Sequence, residues 1–256
     1  MSTEKTSTKA KPNWVDLATS DVEKAAEFYS KLFGWEADLD LGPDAGGYGI
    51  FRLGGKDVAG IGPLQSEAQP AAWSVYIGSD DADAVAEKVK SAGGNVIAPP
   101  FDVFDQGRMA VFQDNQGAFI SVWQPITMAG TQVTGPGSLG WAELNARGAA
   151  GTKAFYRQVF GWDAKEGEAP AEGMPPYIEW QLEGASIAGA MEMPPMVPAQ
   201  VPNFWLAYFS VDDVAAATAK AEELGARVSM PPTNYPGGRF SVLQDPQGAT
   251  FALMSG

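Results

Sequence analysis

Two carboxylates sit inside otherwise apolar strands of this 256-residue chain. The first is Asp16 in "NWVDLAT" (Asn13–Thr19), the second Glu143 in "GWAELNA" (Gly140–Ala146). Each follows a tryptophan by two residues, Trp14 or Trp141. A carboxylate in such a place needs a cation or hydrogen-bond donors, because burying an unpaired charge is costly. If burial raises its pKa, it can also serve as a general base. Much other chemistry is excluded. The chain has no His and no Cys, which removes the Ser-His-Asp triad, thiol chemistry and most zinc sites. Arg108 and Arg239, each just after a turn glycine, are the candidate internal partners of the two carboxylates.

The elements that must position these residues are written twice. "EFYSKLFGWEA" (Glu27–Ala37) returns as "AFYRQVFGWDA" (Ala154–Ala164), and "GRMAVFQDNQGAFISVW" (Gly107–Trp123) as "GRFSVLQDPQGATFALM" (Gly238–Met254). An internal repeat of this length means two small modules. Each copy reads as a strand, a helix closed by Gly34 or Gly161, a hairpin, a Pro-rich stretch, a strand, a second helix and a final hairpin. The first helix is expected over Asp21–Leu32. The second is expected over Asp81–Ala92 and Asp213–Leu224. The turns "DNQG" (Asp114–Gly117) and "DPQG" (Asp245–Gly248) join the last strands. Each module thus contains two βαβββ-like halves. The expected division is a disordered tail over 1–12, a first module over 13–126, a linker over 127–138 and a second module over 139–256.

Composition is that of a folded protein, with 45% hydrophobic and 19% charged residues. The net charge of −14 argues against a nucleic-acid partner, which needs basic stripes, and favours cationic ligands. No apolar run is long enough to span a membrane and no signal peptide is evident, so no membrane partner and a cytoplasmic location are expected. There is no P-loop, dinucleotide fingerprint or nucleophile elbow. Asp80, Asp81 and Asp83, like Asp212 and Asp213, read as acidic helix starts.

Phe-Tyr followed by Phe-Gly-Trp after the first helix, with Asp-x-x-Gly before the last strand, resembles the vicinal oxygen chelate superfamily of glyoxalases, bleomycin-resistance proteins and extradiol dioxygenases. The resemblance covers nearly the whole chain past Pro12. Its tandem branch is similar to hydroxylase-like proteins and anthracycline-biosynthesis accessory proteins. It implies an α+β fold: two tandem modules, each a cupped mixed sheet with helices outside and a ligand cavity within. Members that are enzymes hold a divalent metal on inward strand positions. Carried onto this chain, those positions are Trp14, Ser74 and Ser121 in the first module and Trp141, Leu206 and Ala252 in the second. They do not supply the three N, O or S donors that a catalytic metal needs, so no metal and no cofactor is expected.

If those positions face inward, strand alternation brings their second neighbours with them. Trp14 brings Asp16, Ser74 brings Tyr76, and Ser121 brings Phe119 and Trp123. Trp141 brings Glu143, and Leu206 brings Tyr208. By the same rule Trp73 and Trp205 face the helices. Aromatic faces stack flat rings and attract cations. The expectation is a monomeric, metal-free protein that binds a planar, hydrophobic, cationic aromatic natural product or antibiotic. Its role would be sequestration, resistance or support of a biosynthetic oxygenase. The alternative is a metal-free lyase, isomerase or hydroxylase-like enzyme with Asp16 or Glu143 as general base.

Overall fold

Three aspartates start helices by the mechanism expected of them, each from one residue outside. Asp21 accepts the Lys24 N–H at 3.1 Å and Asp81 the Ala84 N–H at 2.8 Å. Asp213 accepts those of Ala215 and Ala216 at 2.8 and 3.0 Å. These bonds satisfy donors that the first helical turn leaves open. The fourth helix start has no such residue. "RGAAGT" begins with a short 3-10 turn over Ala149–Thr152 that lacks a side-chain cap, and the helix behind it has 8 residues against 12 in the first copy. Gly34 and Gly161 end their helices at φ 75° and 76°, a left-handed conformation that glycine adopts without strain.

The computed structural model describes residues 9–66, 68–169 and 172–256. The first module runs β1 (Pro12–Thr19), α1 (Val22–Phe33), β2 (Glu36–Asp38), β3 (Gly49–Leu53), β4 (Lys56–Pro63), β5 (Ala72–Gly78), α2 (Ala82–Ser91), β6 (Asn95–Val103), β7 (Gly107–Gln113) and β8 (Phe119–Pro125). The second runs β9 (Leu139–Ala146), α3 (Lys153–Phe160), β10 (Asp163–Glu166), β11 (Ile178–Leu182), β12 (Ala185–Glu192), β13 (Phe204–Ser210), α4 (Val214–Glu223), β14 (Arg227–Tyr235), β15 (Gly238–Gln244) and β16 (Thr250–Ser255). Among the described residues the strands form two eight-stranded mixed sheets, one per module. Their orders are β2-β3-β4-β1-β5-β8-β7-β6 and β10-β11-β12-β9-β13-β16-β15-β14. This is the tandem α+β architecture expected from the repeat. No helix among the described residues is long and apolar enough to cross a membrane.

The chain also divides into two compact units, each drawing one half from each module. Among the described residues, one comprises 9–13, 76–129 and 144–205; the other comprises 14–75, 130–143 and 206–256. The stretch read as a linker is bonded in place. The Thr127 and Met128 N–H groups both reach the Gln106 carbonyl, and the Gly137 N–H reaches that of Ser210 at 2.7 Å. Of the expected disordered tail, residues 1–8 lie outside the described residues. The rest is corrected by its bonds: Ala10 donates to Gly78, Gly78 donates to Lys11, and β1 already begins at Pro12.

Candidate functional site

In the second unit, β1 turns Val15, Leu17 and Thr19 into the core and sets Trp14, Asp16 and Ala18 on its other face. Asp16 lies opposite Gly60 of β4, and Ala18 opposite Gly62. The two glycines make room for Tyr48. A Cβ on Gly60 would overlap the Tyr48 hydroxyl, and one on Gly62 would come within 3.1 Å of Tyr48 Cδ2. The phenol lies along β4, hydrogen-bonds Asp16, and accepts the Trp14 indole N–H at 3.4 Å. Burial, and then the Asp16 charge, push the Tyr48 hydroxyl well above its ordinary pKa, so it stays a donor. Ser74 is half-buried on β5. Its neighbour Trp73 is buried and donates to Tyr29 of α1, the helix-facing direction that alternation gives it.

The same unit carries the second carboxylate. Glu143 on β9 is 6% exposed, and Tyr208 of β13 donates to its Oε1 at 2.9 Å. Tyr208 stands beside Ala252 in the parallel β13–β16 pair. Its ring meets Phe240 at 6.1 Å between centroids, and Phe240 meets Tyr235 at 6.0 Å. Leu206 is buried on the same strand, and Trp141 is half-buried. Sequence reasoning missed Tyr48, Phe240 and Tyr235. Alternation along β15 from Val242, which pairs with Ala252, reaches Phe240; nothing comparable points to Tyr48, which precedes its strand.

The first unit holds the remaining residues. Tyr76 pairs with Ser121 across β5 and β8, and both are buried. Trp123 is also buried. Its indole rests on Gly107, where a Cβ would overlap it, and its N–H donates to the Met128 carbonyl at 2.7 Å. Phe119 is 53% exposed. The arginines are not the partners expected for Asp16 and Glu143. Arg108 is held by Asp83 at 2.8 and 3.0 Å and by Asp102 at 2.8 Å, and Arg239 reaches the Pro232 carbonyl at 3.4 Å. Uncharged tyrosine hydroxyls serve the carboxylates instead.

The donor set does not fit the metal of the resembling enzymes. Trp14, Ser74 and Ser121, like Trp141, Leu206 and Ala252, provide two hydroxyls and no imidazole or carboxylate. Among the described residues no group of three His, Cys, Asp or Glu side chains is placed to hold a metal ion. No step through a metal follows from this arrangement.

The repeated motifs also do something that sequence reading left out. Tyr156, from the Phe-Tyr of α3, donates to Asp114 of the "DNQG" turn at 2.8 Å and accepts the Trp205 indole at 3.0 Å. In the other unit, Tyr29 of α1 donates to Asp245 of "DPQG" at 2.9 Å and accepts Trp73 at 2.9 Å. Each turn aspartate also takes two N–H groups of its own turn. The Phe-Gly-Trp tryptophans likewise reach the other module's lead-in: Trp35 donates to Gly137 and Trp162 to Ala10. The helix of one module is thus clasped to the turn of the other.

A model described as the Glyoxalase/Bleomycin resistance protein/Dioxygenase superfamily matches residues 11–122 and again 138–253. The chain belongs to this superfamily. Over 261 residues it is 39% identical to anthracycline biosynthesis protein DnrV of Streptomyces peucetius, covering 95% of this chain and 92% of that one. It is 42% identical over 249 residues to the protein named putative glyoxylase CFP32 of Mycobacterium bovis, covering 95% of this chain and 94% of that one. Among solved structures of the superfamily fold, the 2,3-dioxygenase LapB from Pseudomonas sp. KL28 aligns with a TM-score of 0.68 at 15% identity, covering 96% of this chain and 92% of that one. The Mn(II)-bound glyoxalase from Novosphingobium aromaticivorans aligns at 0.69 and 16%, covering 96% and 82%. At such identities the likeness concerns the fold alone.

Proposed function

We propose that this superfamily member is a metal-free binding protein for a planar, hydrophobic, cationic aromatic molecule of the natural-product or antibiotic class. It would act in sequestration, in resistance, or as an accessory that serves a biosynthetic oxygenase. One observation carries the proposal. In each module the inward position that would hold a metal donor is a tryptophan, and the carboxylate two residues on is held by a tyrosine hydroxyl. Each carboxylate lies beside tryptophan and tyrosine rings, and a carboxylate next to aromatic faces suits a flat cation. The likeness to DnrV supports a role in antibiotic biosynthesis.

The first test is elemental analysis of the purified chain together with titration of planar aromatic amines, followed by tryptophan fluorescence. Tightly held zinc, nickel, manganese or iron at one per chain would overturn the metal-free part. Neutral analogues should bind about two- to thirtyfold more weakly, the scale of a cation near an aromatic face. Equal affinity for charged and neutral forms would remove the carboxylates from the contact.

The enzyme reading has one feature in its favour. Glu143 and the Tyr208 hydroxyl stand 2.9 Å apart, as a base and an acid would. Asp16→Asn and Glu143→Gln separate the two readings. A binding protein loses affinity for the amine and has no turnover to lose. An enzyme keeps affinity and loses roughly 10²–10⁴ in turnover.

A further inference from the structure

On one sheet face the outer strands of the first module present two exposed phenylalanines that the second module does not repeat. Across β6, β7 and β8, Phe101 pairs with Met109, Met109 with Trp123, and Val111 with Ser121. Paired residues share a face of the sheet. Alternation along β8 adds Phe119 to that face. Its floor is Trp123 and Ser121, both buried, while Phe101 and Phe119 stand 45% and 53% exposed. In the second module the residue that pairs with Phe240, the counterpart of Met109, is Thr233, and the residue that pairs with Gln244 is Thr250. Both exposed phenylalanines are thus threonines there.

We infer that this face is the ring-binding wall for the molecule of the proposed function, and that Phe101 and Phe119 grip the two ends of its flat skeleton, one molecule per chain on the first module. The inference rests on the function proposed above. Two strand spacings of about 4.8 Å and a run of four residues at about 3.3 Å each place the two backbones roughly 16 Å apart. A gap of that order takes three or four fused rings, and a single ring does not span it. Charge selects the occupant. A second copy of the chain would bring its own −14 to this face, whereas a cation is drawn to it.

The test uses the full chain and two probes: 9-aminoacridine, a three-ring planar cation at neutral pH, and benzylamine, a one-ring cation. Calorimetry should give one 9-aminoacridine per chain and far weaker benzylamine binding. Replacing the two walls by their second-module counterparts, Phe101→Thr with Phe119→Thr, should weaken 9-aminoacridine by roughly tenfold to a hundredfold. Because both residues are exposed, the melting temperature should stay near wild type. Unchanged 9-aminoacridine binding in that double variant, with loss in Asp16→Asn or Glu143→Gln, would overturn this inference and leave the proposed function standing. A shift from dimer to monomer in the double variant by sedimentation, with binding unchanged, would make the face a contact between copies and also overturn it. No binding of either probe to the wild-type chain would defeat the proposed function itself.

Discussion

In one compact unit Tyr156 reaches Asp114 at 2.8 Å and Trp205 reaches Tyr156 at 3.0 Å; in the other, Tyr29 reaches Asp245 and Trp73 reaches Tyr29, both at 2.9 Å. The two clasps are almost the same object. The sheet faces are not. Asp16 has Tyr48 lying on two glycines, while Glu143 has Tyr208 and a row of rings. Phe101 and Phe119 answer to Thr233 and Thr250. The two copies agree where a buried carboxylate needs every donor it has. They diverge on the other sheet face, in the tyrosine that holds each carboxylate and in the exposed residues at its edge.

The largest effect should come from breaking a clasp. Asp245→Ala strands the Tyr29 hydroxyl and two turn N–H groups in the interior. It should cost about 3 kcal/mol in denaturant unfolding. Asp114→Ala should match it within about 1 kcal/mol. A clear inequality between the two would show that the clasps are alike in geometry only.

Next is Gly60→Ala. The added methyl would overlap the Tyr48 hydroxyl and must push it off Asp16. A loss of about 1–3 kcal/mol is expected, as for other overpacked sites, along with a change in Trp14 emission. No change in either measurement would mean that Tyr48 is not held over β4.

A pH series sharpens the comparison further. Burial pushes the Asp114 and Asp245 carboxyls up, against the backbone and tyrosine bonds that pull them down. A group with a raised folded-state pKa contributes stability that is fully present below the ordinary carboxylate range. That stability is lost as pH rises through the raised value. Relative to Asp114→Asn or Asp245→Asn, wild type should therefore gain stability on acidification from neutral. Exposed carboxylates held low by cations, such as Asp38 beside Arg52, act with the opposite sign, but they are common to both proteins and subtract out. Parallel stability curves for wild type and variant would refute the raised pKa.

The smallest effect concerns the two arginines. Arg108→Ala breaks an ion pair with Asp83 and Asp102 whose carboxylates are mostly exposed, so only a slight loss of stability is expected, erased at about 1 M salt. Arg239→Ala, with a single long carbonyl contact, should fall below detection. A salt-resistant loss at either position would contradict this.

What the sequence made legible was local. Asp21, Asp81 and Asp213 announce helix starts through bonds to their own next residues, and Gly34 and Gly161 announce ends. Strand alternation placed Trp73 and Trp205 on the helix side, where each donates to a helix tyrosine. Hidden were the features set by register and by distance along the chain. Asp114 and Asp245 read as turn residues because their tyrosine partners belong to the other module. Phe101 escaped because β6 is bulged between Ala98 and Phe101, which breaks the period of two. Tyr48 lies in a loop, and only the missing side chains of Gly60 and Gly62 show where its ring rests.

The clasps also set a schedule on the ribosome. The Tyr156–Asp114 pair spans 42 residues, so at roughly 5–20 residues per second both partners are made within about 2–8 s of each other. The Tyr29–Asp245 pair spans 216 residues, and the hydroxyl of α1 waits about 10–40 s for its acceptor. During that interval Tyr29, Phe33 and Trp35 lack Phe209 and Phe251, the rings they later pack against. The nascent chain therefore carries these rings packed only on Phe28, Phe51 and Trp73 until β13 and β16 are made.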